Sequence, residues 1–110
     1  MNTEKNISQM RKGVLELCIL AIIARSEEVY ASDILDQLKE AKLIVVEGTL
    51  YPLLTRLKNE GLLSYRWEES RSGPPRKYYQ ITPMGDVLLK ELVNGWQELV
   101  GAVDSLIKKQ

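Results

Sequence analysis

The 110-residue chain contains no histidine, which is the side chain best suited to proton transfer near neutral pH and the commonest transition-metal ligand. No spaced pair of carboxylates suggests a substitute for it. The single cysteine, Cys18, cannot form an intrachain disulfide, which agrees with a reducing compartment. We therefore predict that the protein is not an enzyme and uses neither a metal nor a cofactor.

Long apolar runs are also scarce. The longest extends from Val14 to Ala24 and is interrupted by Glu16, so it is too short to cross a bilayer and lacks the cleavage pattern of a signal peptide. Cys18 lies inside this run and is predicted to be a buried structural thiol, since a redox sensor needs an exposed and electropositive setting. The composition is typical of one globular domain. We expect a cytoplasmic protein without a membrane partner.

Net charge is absent as well, because 15 basic side chains balance 15 acidic ones. Residues 1–46 carry six basic and seven acidic side chains, residues 47–82 carry six and four, and residues 83–110 carry three and four. The positive excess therefore falls in the middle segment. Because a plain solvated surface can carry so small an excess, charge alone gives only weak support for nucleic-acid binding.

Residues 48–65 read GTLYPLLTRLKNEGLLSY and predict an amphipathic helix. Its apolar face consists of Leu50, Leu53, Leu54 and Leu57. The opposite side carries groups that can meet phosphates and base edges, namely Tyr51, Pro52, Thr55, Arg56 and Asn59. Thr49 is predicted to cap the helix, or to lie just inside an earlier start, with Pro52 in the first turn. Gly61 is predicted to end it.

The next residues predict a β-hairpin. One strand face carries Leu63, Tyr65 and Trp67, and the other carries Ser64, Arg66 and Glu68. Turn formers between Ser70 and Pro75 predict a long tip, and residues 76–81 suit the returning strand. Between Ser70 and Gln80 the chain has no acidic residue and three cations, Arg71, Arg76 and Lys77.

These two segments resemble the PadR family of bacterial transcriptional regulators, whose hallmark is a Gly-Thr-Leu-Tyr-Pro-Leu-Leu helix followed by a Gly-x-Pro-Arg-Lys-Tyr-Tyr wing. The two motifs stand here at residues 48–54 and 73–79. The resemblance covers almost the whole chain, whose length is that of the smaller members with one helix after the wing. The one departure is Ala31, which follows Tyr30 where many relatives have a glycine, a residue that tolerates positive φ.

The resemblance implies a mainly α fold with a small β-hairpin. It implies a winged helix-turn-helix DNA-binding domain over residues 1–82 and a C-terminal dimerisation helix over residues 83–110. In such a domain the third helix enters the major groove of double-stranded DNA, and the wing lies along the backbone or the minor groove. Carried over by motif, the DNA-binding residues are Thr49, Tyr51, Pro52, Thr55, Arg56, Lys58, Arg71, Arg76, Lys77 and Tyr78. Tyr51 has two open roles, as a phosphate donor or as a packing residue, whereas Tyr79 and Ile81 are expected to face the core.

The sequence before the recognition helix predicts two helices and a short strand. Residues 1–9 are polar and expected to be loosely ordered, and the resemblance implies that this segment adds to the dimer contact. A helix over about residues 9–25 is apolar around most of its circumference, so it needs burial on two sides. Ser32 is predicted to cap a short second helix, and residues 43–46 suit a brief strand or an extended link.

The C-terminal helix is predicted to begin with Thr82 as its cap and Pro83 in its first turn. Asp86 complements the start of the helix dipole, and Lys108 and Lys109 complement its end. Apolar residues recur in steps of three and four, as in a coiled-coil seam, at Leu89, Leu92, Trp96, Leu99, Val103 and Leu106. Because little chain is left to cover this stripe, we predict a two-fold homodimer rather than packing within the chain.

Trp96 lies in the middle of this seam, and two roles are open for it. Some small relatives bind flat aromatic compounds between such tryptophans, whereas a plain interface aromatic would only fill the dimer contact. The main hypothesis is a homodimeric repressor that binds a pseudo-palindromic operator. Release by a small aromatic effector belongs to the ligand-binding role that is open for Trp96. The alternative is a winged-helix dimer that acts as a protein-interaction module without specific DNA binding.

Overall fold

A computed structural model describes residues 1–108, and within them it contains five α-helices and one three-stranded sheet. In chain order the elements are α1 (Thr3–Lys12), α2 (Leu15–Ser26), β1 (Val29–Tyr30), α3 (Ala31–Glu40), α4 (Glu47–Asn59), β2 (Leu63–Ser70), β3 (Gly73–Ile81) and α5 (Pro83–Ile107). The sheet is antiparallel with the order β1-β3-β2, and the predicted mainly α winged-helix fold is confirmed. Lys109, predicted to complement the end of the last helix, lies outside the described residues.

The N-terminal region differs from the prediction of one helix over residues 9–25 after a loose segment. A separate helix, α1, forms first, because the Asn2 side chain accepts a hydrogen bond from the Lys5 backbone N–H at 3.0 Å and caps it. The chain then breaks at Gly13, a poor helix former, before α2 begins. None of the ten residues of α1 is buried, so this helix is held by little of its own chain.

The second predicted helix begins earlier than expected. Tyr30 precedes α3 and its backbone N–H donates to the Asp33 carboxylate at 3.3 Å, so Ser32 lies in the first turn and is not the cap. Ala31 is the first helical residue and has no positive φ, so its replacement of glycine causes no strain. The short strand precedes this helix as β1, and residues 43–46 form an extended link without strand pairing.

The hydrophobic core lies where α2, α3 and α4 meet the sheet. Its fully buried side chains are Ile19, Leu20 and Ile23 of α2, Ile34 and Leu38 of α3, and Leu50, Leu54 and Leu57 of α4. The predicted leucine face of the recognition helix is therefore confirmed, and Leu53 packs at its edge. Tyr79 is buried as predicted, with 4% of its surface exposed.

The recognition helix α4 begins at Glu47, the earlier of the two predicted starts. Thr49 lies inside the first turn and does not cap the helix, because Val46 occupies the N-cap position. Pro52 is consequently inside the helix and not in its first turn as predicted. Since proline has no N–H, the Gly48 carbonyl one turn earlier receives no helical hydrogen bond from it.

The end of α4 and the start of α5 are bonded to each other. Gly61 ends α4 as predicted with φ +81°, and the Leu62 N–H reaches back to the Leu57 carbonyl at 3.0 Å. Thr82 caps α5 as predicted by accepting from the Gly85 N–H at 3.0 Å, and its hydroxyl donates to the Gly61 carbonyl at 2.7 Å. A Cβ atom at Gly85 would lie only 2.2 Å from the Leu62 carbonyl oxygen, so only glycine at this position allows the first turn of α5 to pack so closely.

The wing has a shorter tip than predicted. Strand pairing continues to Ser70 opposite Gly73, so only Arg71 and Ser72 form the turn. The two prolines expected in the tip belong to β3 instead. They are tolerated there because β1 pairs with β3 only at Tyr78 and Tyr79, so the proline end of β3 has a strand on one side only.

The long helix α5 has two dissimilar halves. Leu88, Leu89 and Leu92 pack against the core of the winged-helix domain. The later seam residues are exposed: Trp96 by 44%, Leu99 by 55%, Val103 by 43% and Leu106 by 84%. The predicted seam therefore exists as a continuous helix face, but its own chain covers only the first part.

Candidate nucleic-acid interface

The exposed side of α4 faces the wing across a groove of about 420 Å³. From α4, Tyr51 and Thr55 line the groove, and Tyr51 is 45% exposed. From the wing, Arg76 and Lys77 line it together with the exposed ring of Trp67. The structure thus brings four of the predicted DNA-binding residues to one concave surface that contains two cations.

Strand alternation sends the two cations of the wing to opposite faces of the hairpin. Directly opposed residues of antiparallel strands share a face. Lys77 is opposite Trp67, whereas Arg76 is opposite Glu68. Lys77 therefore lies beside aromatic rings on the hairpin face that carries Trp67, on the side of α4. Arg76 belongs to the opposite face, called the outer side below, and still borders the groove.

On the side of α4, two lysines lie over the same aromatic ring. Lys77 Nζ is 4.5 Å from the ring centroid of Tyr65 and 5.1 Å from that of Trp67. Lys58, at the end of α4, has its Nζ 5.7 Å from the Tyr65 centroid. Such contacts hold a cation loosely at a solvent-exposed aromatic face, so both ammonium groups stay available to an anionic partner.

On the outer side, aromatic rings and guanidinium groups form a four-membered stack. Arg76 Cζ is 5.2 Å from the ring centroid of Tyr30, the rings of Tyr30 and Tyr78 stack at 3.9 Å, and Arg66 Cζ is 4.6 Å from the Tyr78 centroid. The neighbouring Tyr78 side chain is the main reason that the pKa of Tyr30 is raised to about 12, so this phenol is neutral at physiological pH. Tyr78, predicted to contact DNA, is thus flanked on both ring faces.

Arg56, a predicted DNA-binding cation of α4, forms ion pairs within its own chain. Its guanidinium lies 3.5 Å from the Glu16 carboxylate of α2 and also pairs with Glu60 one helical turn later. The side chain remains half exposed. A phosphate would therefore have to compete with two carboxylates for this residue.

The remaining predicted contacts are exposed but lie apart from the groove. Thr49 and Pro52 are on the N-terminal part of α4, and Arg71 is in the two-residue tip of the wing. Thr49 borders another cavity of about 210 Å³, between α1, α2 and the link before α4. Cys18 lines the same cavity and is half-buried, not fully buried as predicted; this partial burial raises the pKa of its thiol.

The family model of the PadR-like transcriptional regulators matches residues 19–91. The chain belongs to this family. Among solved structures, it is similar to a PadR-like transcription factor from Bacteroides fragilis, with 59% identity, coverage of 93% of this chain and 98% of that one, and a TM-score of 0.77. A PadR family transcriptional regulator from Eggerthella lenta is 30% identical, with coverage of 97% and 93% and a TM-score of 0.89. A PadR-like transcriptional regulator from Bacillus cereus is 41% identical, with coverage of 93% and 99% and a TM-score of 0.79.

This PadR-like chain has a further cavity beside Trp96. It measures about 480 Å³ and lies between α1 and the second half of α5 of the same chain. The apolar lining includes Ile7, Met10, Trp96, Leu99, Val100 and Val103. Arg11 and Asp104 add one charge of each sign. Trp96 therefore faces the N-terminal helix of its own chain across this cavity.

Three residues that the sequence reasoning did not assign to DNA binding contact the predicted site in this PadR-like chain: Tyr30, Trp67 and Glu16. The two-residue turn alone would pair Trp67 with Arg76; an irregularity between Glu68 and Ser70 shifts the register by one residue, so that Trp67 lies opposite Lys77. No local pattern links Tyr30 or Glu16 to partners so distant in the sequence. Within residues 1–108, no helix combines the length and the hydropathy needed to cross a membrane.

Proposed function

We propose that this PadR-like chain is a homodimeric transcriptional repressor that binds a pseudo-palindromic operator. The observation that carries the proposal is the groove between α4 and the wing, where polar groups of a recognition helix face two wing cations. In a two-fold dimer the two α4 helices would enter successive major grooves, about 34 Å apart along the duplex. Residues 1–82 would then form the DNA-reading domain, and residues 83–110 the dimerisation helix.

The proposed DNA contacts differ between α4 and the wing. Thr49, Tyr51 and Pro52 lie near the end of α4 that would enter the DNA, and Thr55 and Lys58 follow along the same helix. Arg76 and Lys77 would contact phosphates from the two faces of the wing, and Arg71 would do so from its tip. Because such contacts fix register more than they read bases, sequence preference would come mainly from α4.

Dimerisation is proposed through the second half of α5 together with α1. Burying a large apolar side chain stabilises a fold or an interface by about 1.5–3 kcal/mol, so several exposed ones on one helix face favour a self-complementary contact. The contributing residues would be Trp96, Leu99, Val103 and Leu106, with Leu89 and Leu92 at the edge of the domain.

A planar aromatic effector is proposed to bind in the cavity beside Trp96 and to release the operator. The apolar lining and the indole ring suit a flat hydrophobic molecule. Tryptophan emission, measured in a Trp67→Phe background so that Trp96 alone reports, should be quenched or shifted by planar cationic or neutral dyes. The same titration on Trp96→Ala should show no saturable dye binding by calorimetry. Equal dye binding by that variant would leave Trp96 as an interface residue only.

DNA binding is tested with a labelled duplex that carries the region upstream of the protein's own gene, against a scrambled duplex of equal length. If Arg56, Arg76 and Lys77 each meet one phosphate per subunit, the log–log salt slope should be about −5. Arg76→Ala/Lys77→Ala should weaken binding to every sequence and flatten the slope to about −2. The control, Lys39→Ala/Lys90→Ala, removes two cations outside the groove and should leave the slope unchanged.

Two results would count against this assignment. A slope that stays the same in the wing variant would remove the wing from the mechanism. Binding no better than to scrambled DNA, followed by failure of a genomic selection to enrich any site, would favour the protein-interaction module instead.

A further inference from the structure

Tyr30 has no part in the function proposed above, yet it lies under one of the wing cations. It is the last residue of β1 and directly precedes α3, so its backbone joins the sheet to the first turn of that helix. Its ring contacts β3 on both sides: Arg76 Cζ is 5.2 Å from its centroid, and the Tyr78 ring stacks on it at 3.9 Å with 22° between the planes. A single side chain therefore connects the start of α3 to the outer side of the wing.

Arg66, at the far end of the stack, is bonded to the segment of chain that also carries Tyr30. Arg66, from β2, covers the other face of Tyr78 at 4.6 Å. Its guanidinium donates twice to the Glu28 carboxylate, at 2.6 Å and 3.3 Å, and Glu28 stands two residues before Tyr30. The contacts thus form a continuous row that begins on the wing, includes residues of both hairpin strands and ends beside β1. In sequence of contact its members are Arg76, Tyr30, Tyr78, Arg66 and Glu28.

The geometry of β3 explains why Arg76 needs such support. At Tyr78 and Tyr79 the strand is paired on both sides, but at Arg76 only β2 remains as a neighbour. Unpaired strand edges near a tip are the least stable part of a hairpin, and a long arginine side chain there loses much rotamer freedom when it binds a phosphate. The Tyr30 ring offers the guanidinium a fixed flat surface before any ligand arrives.

We propose that Tyr30 is a positioning residue for DNA binding, which holds Arg76 and the outer side of the wing in the orientation that meets the phosphate backbone. The inference rests on the proposed DNA binding and adds to it a residue that would not itself need to touch the DNA. The contact with Arg76 is made by the Tyr30 ring, and the hydroxyl takes no part in it. Tyr30→Phe should therefore keep the function, and Tyr30→Ala should lose it.

The first measurement concerns the protein without DNA. Arg76 side-chain protons over an aromatic ring are shifted upfield, and in heteronuclear NMR spectra this shift should persist in Tyr30→Phe and vanish in Tyr30→Ala. The cap of α3 should survive in both variants, because the hydrogen bond to Asp33 comes from the backbone N–H of Tyr30. Circular dichroism and the shifts of α3 check that survival.

The second measurement is affinity for the operator duplex. Tyr30→Ala should weaken binding about tenfold per dimer, as expected from losing one exposed cation–π contact in each subunit. Tyr30→Phe should bind as the wild type does. In a double-mutant cycle, Tyr30→Ala should weaken binding much less when Arg76 is already alanine, because the residue acts through that guanidinium.

The outcomes separate this inference from the proposed function. If the wild type binds the operator and Tyr30→Ala loses the upfield shift yet binds equally well, Tyr30 has no positioning role while the function stands. Additive losses in the cycle would overturn the inference as well, since Tyr30 would then act independently of Arg76. If the wild type binds no DNA, the proposed function fails, and the upfield shift alone reports whether the stack forms.

Discussion

The two halves of α5 have the same apolar spacing but opposite surroundings. In the first half, Leu88, Leu89 and Leu92 pack against the core formed by α2, α3 and α4. In the second half, the side chains from Trp96 to Leu106 that continue the seam are largely exposed. The helix itself does not change, so the difference lies in what the rest of the chain can reach. An apolar period therefore indicates that a helix face is to be buried, but it does not indicate whether the same chain or a partner buries it.

The N-terminal helix belongs with the second half of α5 in this comparison. Its large apolar side chains are also exposed, Ile7 by 39% and Met10 by 71%, and both line the cavity beside Trp96. Two uncovered helix faces that border one cavity suggest one missing partner surface and not two. A second copy of the chain fits this arrangement, because it would supply the same two faces in reverse.

The largest effect is expected from placing a carboxylate in each half of α5. Leu89→Asp should lower the free energy of unfolding by about 3 kcal/mol, since it brings a charge to the core boundary and removes apolar contacts. Leu99→Asp should leave the winged-helix domain folded and convert the proposed dimer to monomers. Thermal melts followed by circular dichroism and sedimentation velocity measure the two effects separately.

The matched control for this pair is Asn94→Asp, which adds the same charge with little change in volume on the side of α5 away from the seam. It should alter neither the melt nor the sedimentation coefficient. If Leu99→Asp unfolded the chain as strongly as Leu89→Asp, the second half of α5 would be part of the same folding unit and the contrast between the halves would be wrong.

A smaller effect is expected from giving the glycines of α5 a methyl group. Gly85→Ala should cost about 2 kcal/mol of unfolding free energy, because the new Cβ would lie 2.2 Å from the Leu62 carbonyl oxygen and the first turn of α5 would have to move. Gly101→Ala, in the second half, meets nothing within 4 Å among the described residues and should gain about 1 kcal/mol in helix propensity.

Chemical denaturation at several protein concentrations checks both values and also probes the partner surface. A loss of stability in Gly101→Ala that grows as the dimer forms would place a close helix contact at this position. An unchanged free energy of unfolding in Gly85→Ala would mean that α5 can shift at its junction with the domain, despite the hydrogen bonds of Thr82 at its start.

The sequence allowed the local features to be predicted where each depends on residues close together. The leucine face of α4, the end at Gly61 and the Thr82 cap of α5 were all readable, because spacing and capping chemistry act within one or two turns. The break at Gly13 cannot be predicted in this way, since the apolar pattern continues across it. The capping role of Asn2 is equally hard to predict, because the segment it opens has a polar composition.

The site was harder to predict, because its contacts join distant segments. The tip of the wing was expected to be long, since its prolines resemble turn residues, and their place in a strand became clear only from the one-sided pairing of β3. Without that register, the partners of Lys77 and Arg76 could not be deduced. The neighbours of Tyr30 and Arg56 depend on how β1 and α2 pack, which no periodicity within either segment encodes.

The smallest effect concerns α2, which packs on the first half of α5 and also reaches the recognition helix through Glu16. Its carboxylate lies 3.5 Å from Arg56, and both side chains are partly exposed, so the pair should contribute little to stability, about 0.2–1 kcal/mol or less. In DNA binding, the Glu16 carboxylate would compete with a phosphate for the Arg56 guanidinium. Glu16→Gln should therefore raise operator affinity about twofold to threefold. The phosphate would no longer have to displace an exposed ion pair of this strength from Arg56.

The control for this change is Glu91→Gln, which alters the net charge equally but lies on α5. Fluorescence anisotropy at a fixed salt concentration can resolve a threefold difference between the two variants. A larger gain for Glu16→Gln would show that Arg56 is partly withheld from the DNA by α2, the helix that touches both the domain core and the start of α5. A loss of affinity would mean instead that Glu16 holds Arg56 in its binding orientation, and the link between the two regions would then support binding and not restrain it.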